Sequence, residues 1–197
     1  SYTLGLMPTP EQRLQMWKQS WKLVREKSIF LADFWNHGTV VDGCLSAGGH
    51  GNGGYMYIDW NGNVSPCVFV PFSPVNIKDV YAKGGNLTDI FNEPFFADLR
   101  KWQADIKIQT NGKNLLNPCP IRDHNADLRQ LIRKHEVEPL DLNAAEALQD
   151  ANYAKGMDVY DEKYQKIVDT IWEKVYVQNS PLEAEDTEKL TELFAEK

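Results

Sequence analysis

Apolar and polar residues alternate between positions 55 and 59, which is the pattern of a half-buried strand. Tyr55, Tyr57 and Asp59 alternate there with Met56 and Ile58. One side of such a strand faces a core and the other faces solvent. The pattern therefore predicts a short strand at the edge of a folded unit.

A turn signal follows this strand directly. Asn61-Gly62 is a strong hairpin signal, because a two-residue type I′ turn needs a positive φ at both central residues. Val64 then starts the return strand, and the sequence predicts a hairpin over residues 55–68. Cys44 precedes the hairpin across a glycine-rich loop, and Cys67 ends its second strand.

Helical periodicity begins at Thr9-Pro10-Glu11-Gln12, where Thr9 caps the helix and Pro10 takes its first position. This helix is predicted to run to about Lys27 with one apolar face, formed by Leu14, Trp17, Trp21 and Val24. The apolar run Ile29–Phe34 then predicts a buried strand.

Further helices are predicted later in the chain, and an acidic segment follows Pro181. Asp123 or Asn125 is the expected cap of the helix predicted over residues 126–135. The segment around Phe69–Pro74 contains two prolines, so it is expected at a sheet edge. The predicted helices cover residues 87–92, 94–107, 126–135 and 158–176.

The composition and charge of the chain limit the kinds of protein to which it can belong. The chain has 197 residues, 42% hydrophobic and 25% charged, as in ordinary globular proteins. A net charge of -7 disfavours binding to nucleic acid phosphates. No apolar run is long enough for a bilayer, and the first residues do not resemble a signal peptide. We therefore expect a cytoplasmic protein with no membrane or nucleic acid partner.

The three cysteines are an odd set, whereas a small disulfide scaffold would use an even number. Reduced thiols in the cytosol are available to bind metal. The alternative is that all three are inert buried residues, since a free cysteine packs like a small hydrophobic side chain. Cys44 and Cys119 lie in loops rich in glycine and proline, which favours the metal interpretation.

The order of these features resembles the SPASM domain, or its shortened twitch form, of radical S-adenosylmethionine enzymes. Cys44 is followed by seventeen residues, Gly62, four residues and Cys67, and the first spacer is slightly longer than is usual in SPASM domains. Three later segments also resemble the family pattern: Val75–Ile77, residues 86–100 with Phe95, Phe96, Leu99 and Arg100, and the stretch Asn117–Arg122 that contains Cys119.

The resemblance implies an α+β fold in which helices surround a hairpin-centred cluster domain. Residues 1–36 would be the end of a preceding α/β barrel. Residues 37–136 would form the cluster-binding domain, and residues 137–197 a helical extension. The barrel of the same parent chain is then the expected partner.

The resemblance also implies that Cys44, Cys67 and Cys119 bind an auxiliary 4Fe-4S cluster, since thiolates are the usual ligands of such clusters. Three thiolates leave one iron for substrate or for a fourth protein ligand. His50, His124 and Asp123 are the candidates, because they lie near the cysteines.

Radical S-adenosylmethionine enzymes of this kind also use a Cys-x3-Cys-x2-Cys loop to cleave their cofactor, and this sequence has no such spacing. We therefore expect S-adenosylmethionine and a second 4Fe-4S cluster only in the full-length parent. The chain by itself offers no catalytic residues, and whether it belongs to an enzyme rests on the resemblance. The substrate, a peptide or a small molecule, is not indicated.

A second interpretation is a structural zinc domain or a metal-free interaction domain. Three cysteines and one histidine are a standard zinc ligand set, although no short Cys-x-x-Cys knuckle occurs here. Such a domain would bind a partner through its tryptophan-rich first helix and the helix at 158–176.

Overall fold

The computed structural model describes residues 4–31, 33, 39, 43–49, 54–109 and 114–182, with no side-chain description at 106–109. It confirms the α+β class. The helices are α1 (Pro10–Lys27), α2 (Ile77–Ala82), α3 (Leu87–Phe91), α4 (Pro94–Gln109), α5 (Asn125–Lys134), α6 (Leu142–Gln149) and α7 (Ala151–Ile171), and a π-helical turn (Trp172–Val177) extends the last. The strands are β1 (Tyr57–Ile58), β2 (Asn63–Ser65), β3 (Phe72–Ser73), β4 (Val75–Asn76) and β5 (Glu138–Pro139).

Helix α1 begins as the sequence predicts. The Gln12 amide donates to the Thr9 hydroxyl at 3.3 Å, and the Thr9 amide donates to the Gln12 side chain at 2.8 Å. This reciprocal capping box satisfies two amides that a helix start leaves free. The helix ends at Lys27, also as predicted.

Two small antiparallel sheets lie side by side. The first has the order β1-β2-β4, and the second pairs β3 with β5. The Ser73 hydroxyl joins them, because it donates to the Val64 carbonyl at 2.8 Å and accepts from the Val64 amide at 3.0 Å. The predicted hairpin is therefore confirmed as β1 and β2, with Ile58 opposite Val64.

The turn of this hairpin differs from the predicted type I′ turn. Of Asn61 and Gly62, only Gly62 has a positive φ, 91°. The Gly62 amide donates to the Asp59 carbonyl, and the Asp59 amide donates to the Asn63 carbonyl, both at 3.0 Å. This is a three-residue loop with glycine in the left-handed position. The Asp59 carboxylate accepts from the Asn61 and Asn63 amides, which favours this longer loop.

The strands and the middle helices enclose one apolar cluster, here called the hairpin core. Helix α4 contributes three large buried residues, since the exposed fractions of Phe95, Phe96 and Leu99 are 1%, 0% and 0%. The complete cluster is Ala47, Val64, Cys67, Val70, Phe72, Ile90, Phe95, Phe96, Leu99, Leu128, Ile132, Val137 and Ala144.

A second cluster, here called the helical core, lies between α1 and α7. Its buried residues come from both helices and from one loop residue, Leu116, and they are Leu14, Trp17, Leu116, Tyr164, Ile167, Val168 and Ile171. Leu14 and Trp17 of the predicted apolar face of α1 are thereby confirmed as packing residues, with Trp21 partly buried against them. The predicted domain boundaries at 36/37 and 136/137 stay predictions.

The predicted buried strand at Ile29–Phe34 is wrong where the structure describes it. Ile29, Phe30 and Leu31 are not in a strand, and their exposed fractions are 50%, 88% and 39%. A strand needs a neighbour to satisfy its backbone amides and carbonyls. None of the described strands pairs with this segment.

The cap of α5 also differs from the prediction. His124 takes the N-cap position and makes no capping bond with its side chain. Instead, the Asn125 amide donates to the Asp161 carboxylate of α7 at 2.9 Å. A tertiary contact thus replaces the local cap.

The acidic segment from residue 183 onward lies outside the described residues. Within the described ranges, every helix is too short or too polar to span a bilayer.

Candidate metal centre

The three cysteines lie on three separate segments. Cys44 precedes a short 3-10 turn at Ser46–Gly48, Cys67 follows β2, and Cys119 lies in the loop before α5. All three are free thiols; Cys67 is buried, and Cys44 and Cys119 are partly exposed.

The side chain of Tyr55 is influenced by thiols from all three segments. Its hydroxyl lies 2.8 Å from the Cys67 sulfur. The pKa of Tyr55 is raised by burial, by this hydrogen bond, and by the charges that Cys67, Cys44 and Cys119 would carry as thiolates. The chain therefore brings all three thiols near one phenol, although 52 positions of sequence separate Cys67 from Cys119.

The Cys44 segment is fixed to α4 by side chains that bind its backbone carbonyls. Arg100 donates to the Ala47 carbonyl at 2.9 Å and to the Phe91 carbonyl at 2.6 Å. Gln103 donates to the Ser46 carbonyl at 3.2 Å and to the Ser46 hydroxyl at 2.9 Å. That hydroxyl is 3.1 Å from the Cys44 sulfur. The rigid helix thus positions the thiol through Ser46.

A close approach of two backbones completes this segment. The Tyr55 amide donates to the Leu45 carbonyl, and the Gly48 amide donates to the Tyr55 carbonyl, both at 3.0 Å. A Cβ atom at Gly54 would lie 2.4 Å from the carbonyl carbon of Gly48 and 2.5 Å from the carbonyl oxygen of Leu45. Only glycine fits at position 54 without moving the Cys44 loop.

The Cys67 segment turns sharply after β2. The Ser65 hydroxyl and the Val70 amide both donate to the Cys67 carbonyl, at 3.2 and 3.0 Å. The Phe69 amide approaches the Cys67 sulfur at 3.5 Å. The thiol therefore has a backbone donor and the Tyr55 hydroxyl around it.

Two backbone amides, those of Ile121 and Arg122, point at the Cys119 sulfur, and each favours the thiolate form. Successive amides of this kind form a concave site for an anion. The loop is closed by the Asp123 amide, which donates to the Cys119 carbonyl at 2.8 Å, and by the Cys119 amide, which donates to the Asp123 carboxylate at 3.3 Å.

Burial nevertheless keeps two of the thiols neutral in the absence of a bound cation. It raises the pKa of Cys44, and the charges of Cys67 and Asp123 add to the rise. It also raises the pKa of Cys119, with further contributions from Asp123 and Cys44. A metal bound to these sulfurs would have to displace their protons.

The candidate fourth ligands differ in what surrounds them. His124 places Nε2 2.9 Å from the Asn117 carbonyl oxygen, and its ring meets the Trp102 ring edge-on at 5.3 Å. Asp123 uses one oxygen for Arg13 at 2.5 Å and the other for the Cys119 amide. His50 lies outside the described residues.

The donor set suits an iron–sulfur cluster. Three thiols provide the soft anionic ligands that iron prefers, and the amides of Ile121 and Arg122 would donate hydrogen bonds to a ligated sulfur. Within the described ranges, no three His, Cys, Asp or Glu side chains are grouped so as to hold a metal ion. Ligation by Cys44, Cys67 and Cys119 stays a prediction.

Sequence reasoning missed Tyr55, Ser46 and Arg13 as neighbours of the site. Tyr55 is visible in the sequence only as one of the alternating residues before β1, and Ser46 only as a loop serine. Arg13 lies 106 positions before Cys119 on an amphipathic helix. No spacing rule connects such distant residues.

One of three comparisons with known proteins found a match for this chain. A search of curated proteins and a search of solved structures gave no match for the chain. The sequence profile of the SPASM family, described as an iron-sulfur cluster-binding domain, matches residues 50–126. That segment contains the hairpin, α2 to α4, Cys67 and Cys119, whereas Cys44 lies just before it. Residues 50–126 thus match the SPASM iron-sulfur cluster-binding domain, which confirms the family resemblance predicted from the sequence.

Proposed function

We propose that this chain binds an auxiliary 4Fe-4S cluster through Cys44, Cys67 and Cys119. The observation that carries the proposal is the Tyr55 hydroxyl, which lies 2.8 Å from the Cys67 sulfur and whose pKa is also raised by the charges of Cys44 and Cys119. Thiols from three separate segments therefore lie in one region of the fold, as a shared cluster requires. The family match supports the same chemistry for the two thiols that it includes.

In this proposal, side chains or backbone amides near each thiol hold it in place or donate a hydrogen bond to it. Arg100 and Gln103 hold the Cys44 loop, and the amides of Ile121 and Arg122 donate to the Cys119 sulfur. When Cys67 is a thiolate it can only accept a hydrogen bond, so the Tyr55 hydroxyl becomes the donor. The bound cluster would supply an electron relay, or an iron with an open position for substrate.

We further propose that the chain is part of a radical S-adenosylmethionine oxidoreductase. A barrel elsewhere in the same parent chain would bind S-adenosylmethionine and a second 4Fe-4S cluster. The SPASM match and the absence of a Cys-x3-Cys-x2-Cys spacing from this sequence support that division of tasks. The substrate would be a peptide or a small molecule that reaches the cysteine side of the hairpin.

The direct test is anaerobic reconstitution with iron and sulfide, followed by iron and sulfide analysis and visible absorption. We expect about four irons per chain and a brown chromophore. Single Cys44→Ala, Cys67→Ala and Cys119→Ala variants should each lose most of that iron. Stoichiometric zinc that iron cannot displace, or full iron binding by any of the three variants, would contradict the proposal.

The fourth ligand can be assigned in the same assay. His50→Ala, His124→Ala and Asp123→Ala are compared with His135→Ala, a helix-terminal histidine paired with Asp98 at 2.9 Å. A protein ligand should change the electron paramagnetic resonance spectrum of the reduced cluster when it is removed. Spectra that are all unchanged would assign the fourth position to substrate or solvent.

Cluster loading should also depend on pH. Burial raises the pKa of Cys44 and of Cys119, so both thiols must lose protons when iron binds. We expect the rate of iron uptake to rise steadily from pH 6.5 to pH 8.5, with protons released into weakly buffered solution. A rate that is independent of pH would show that these two thiols do not ligate iron.

A further inference from the structure

A fully buried ion pair joins the first helix to the loop that contains Cys119. Arg13 of α1 lies 2.5 Å from the Asp123 carboxylate, and the two side chains are 0% and 1% exposed. The Arg13 guanidinium also lies over the Tyr164 ring of α7, 3.4 Å from its centroid. The contact therefore brings together α1, α7 and the Cys119 loop.

Asp123 connects this ion pair to the thiol. Its second carboxylate oxygen accepts the Cys119 amide at 3.3 Å, and its own amide donates to the Cys119 carbonyl at 2.8 Å. These two bonds set the backbone of the turn in which the Ile121 and Arg122 amides face the sulfur. A shift of the carboxylate would therefore move or release Cys119.

The same loop is attached to both cores. Leu116 is buried in the helical core, and its carbonyl accepts the Tyr164 hydroxyl at 3.1 Å. Ile121 packs against the hairpin core, where Cys67 lies. Cys119 thus lies between a residue buried in the helical core and a residue packed against the hairpin core, and the Arg13–Asp123 pair holds the same loop.

We propose that Asp123, held by Arg13, is the positioning residue that keeps Cys119 beside Cys44 and Cys67. Helices α1 and α7, which lie outside the segment that matches the SPASM family, would then be part of the thiol site. Without Arg13 the buried carboxylate loses its compensating charge and must move toward water. The inference rests on the proposed function, but it makes a claim about the metal-free protein that can be tested separately.

The test measures the alkylation of each thiol in the reduced, metal-free full chain with iodoacetamide, followed by peptide mass spectrometry. We expect Arg13→Met to raise the labelling rate of Cys119 at least ten-fold, with the rate of Cys67 within two-fold of wild type. Asp123→Asn keeps a side-chain oxygen that can accept the Cys119 amide, so its increase should be smaller. The Arg13→Met/Asp123→Asn variant removes both charges of the pair and should label Cys119 more slowly than Arg13→Met alone.

Matched controls remove charged side chains that lie outside this ion pair. Arg25→Met removes an exposed arginine of α1, and Asp105→Asn removes a half-buried aspartate of α4, and neither should change the rate of any thiol. Arg13→Lys keeps the positive charge and replaces Arg13→Met in the test if Arg13→Met does not fold. The labelling rate of Cys119 in Arg13→Lys should stay within three-fold of wild type. An unchanged Cys119 rate in Arg13→Met, a parallel rise of all three thiols, or an Arg13→Lys rate ten-fold above wild type would overturn the proposal.

Reconstitution then separates this inference from the proposed function. If both hold, Arg13→Met should retain less than half of the iron of wild type, whereas Arg25→Met should retain all of it. If wild type binds no iron but the Cys119 labelling pattern holds, the proposed function fails and the positioning role stands. If Arg13→Met binds iron as wild type does, with the wild-type absorption spectrum, Asp123 does not position a cluster ligand.

Discussion

The hairpin core and the helical core are built from different kinds of contact. The hairpin core joins short strands and helices, and its loops are held by side chains that bind backbone carbonyls, as Arg100 and Gln103 do. The helical core joins two long helices through their apolar faces, and a buried ion pair attaches α1 to the Cys119 loop. Cys67 belongs to the hairpin core and the Cys44 loop is held by α4 of that core, whereas the Cys119 loop contacts both cores. A change in the hairpin core should therefore affect Cys44 and Cys67, whereas a change in either core should affect Cys119.

The largest expected effect is the loss of a core side chain. Phe96 is 0% exposed in the hairpin core, so Phe96→Ala should lower the free energy of unfolding by about 3–5 kcal/mol. Urea denaturation followed by circular dichroism measures this loss. Ile167→Ala is the counterpart in the helical core, and Ile167 is also 0% exposed.

Thiol labelling of these two variants would sharpen the comparison. We expect Phe96→Ala to increase the labelling of Cys44 and Cys67 more than that of Cys119, and Ile167→Ala to do the reverse. An identical labelling pattern in both variants would show that the two cores open as one unit.

A smaller effect is expected at Gly54. A Cβ atom there would lie 2.4 Å from the Gly48 carbonyl carbon and the Gly49 nitrogen, and both are backbone atoms. Gly54→Ala should therefore destabilise the protein by about 1–3 kcal/mol and displace the Cys44 loop. The measurement is the melting temperature together with the Cys44 labelling rate. Gly5→Ala, where no atom lies within 4 Å of the added Cβ, is the control.

Gly62 tests the hairpin turn that supports Cys67. Its φ is 91°, and an added Cβ would lie 2.9 Å from the Asn76 side-chain oxygen. Gly62→Val should cost about 1–2 kcal/mol, because a β-branched residue is strained at positive φ. We also expect weaker retention of reconstituted iron. A melting temperature equal to that of wild type would contradict the structure of this turn.

The smallest expected effect concerns Asp161, which caps α5 from α7. Burial raises the pKa of Asp161 to about 7, and the charges of Asp123 and Asp158 add to the rise. Since the pKa is raised on folding, the stabilising contribution is complete below about pH 4 and is lost as the pH rises through 7.

Asp161→Asn keeps an oxygen for the Asn125 amide but cannot ionise. At pH 8 it should therefore be more stable than wild type by about 1 kcal/mol, a figure reduced for the partial exposure of this side chain. Near pH 4 this advantage should disappear. Urea denaturation at the two pH values measures the difference. If wild type were more stable than Asp161→Asn at pH 8, that result would contradict the raised pKa of Asp161.

Local signals in the sequence predicted much of the fold. The capping box at Thr9 and the Asn61-Gly62 pair act within a few residues, and they located α1 and the hairpin. The details that failed were those decided by a contact outside the local segment. The loop of the hairpin is longer because Asp59 binds two amides, and α5 is capped by Asp161 rather than by its own residues. The strand expected at Ile29–Phe34 would have needed a neighbour that the described sheets do not provide.

The candidate site likewise has features that the sequence predicted and features that depend on distant contacts. The order of Cys44, Gly62, Cys67 and Cys119 in the sequence was enough to suggest the family, which the match to residues 50–126 confirms. The roles of Tyr55, Arg100 and Gln103 follow from bonds to loops that lie up to 57 positions away in the sequence.

Short-range interactions were enough to specify α1 and the hairpin, because capping, turn formation and hydrophobic periodicity act within a few neighbouring residues. The contact of Arg13 with Asp123, 110 positions away, and the place of Cys119 between two cores follow from the folded arrangement alone. A buried charge needs an opposite charge, which can come from any part of the chain that the fold brings near. That requirement selects a partner in space, and no local pattern records it.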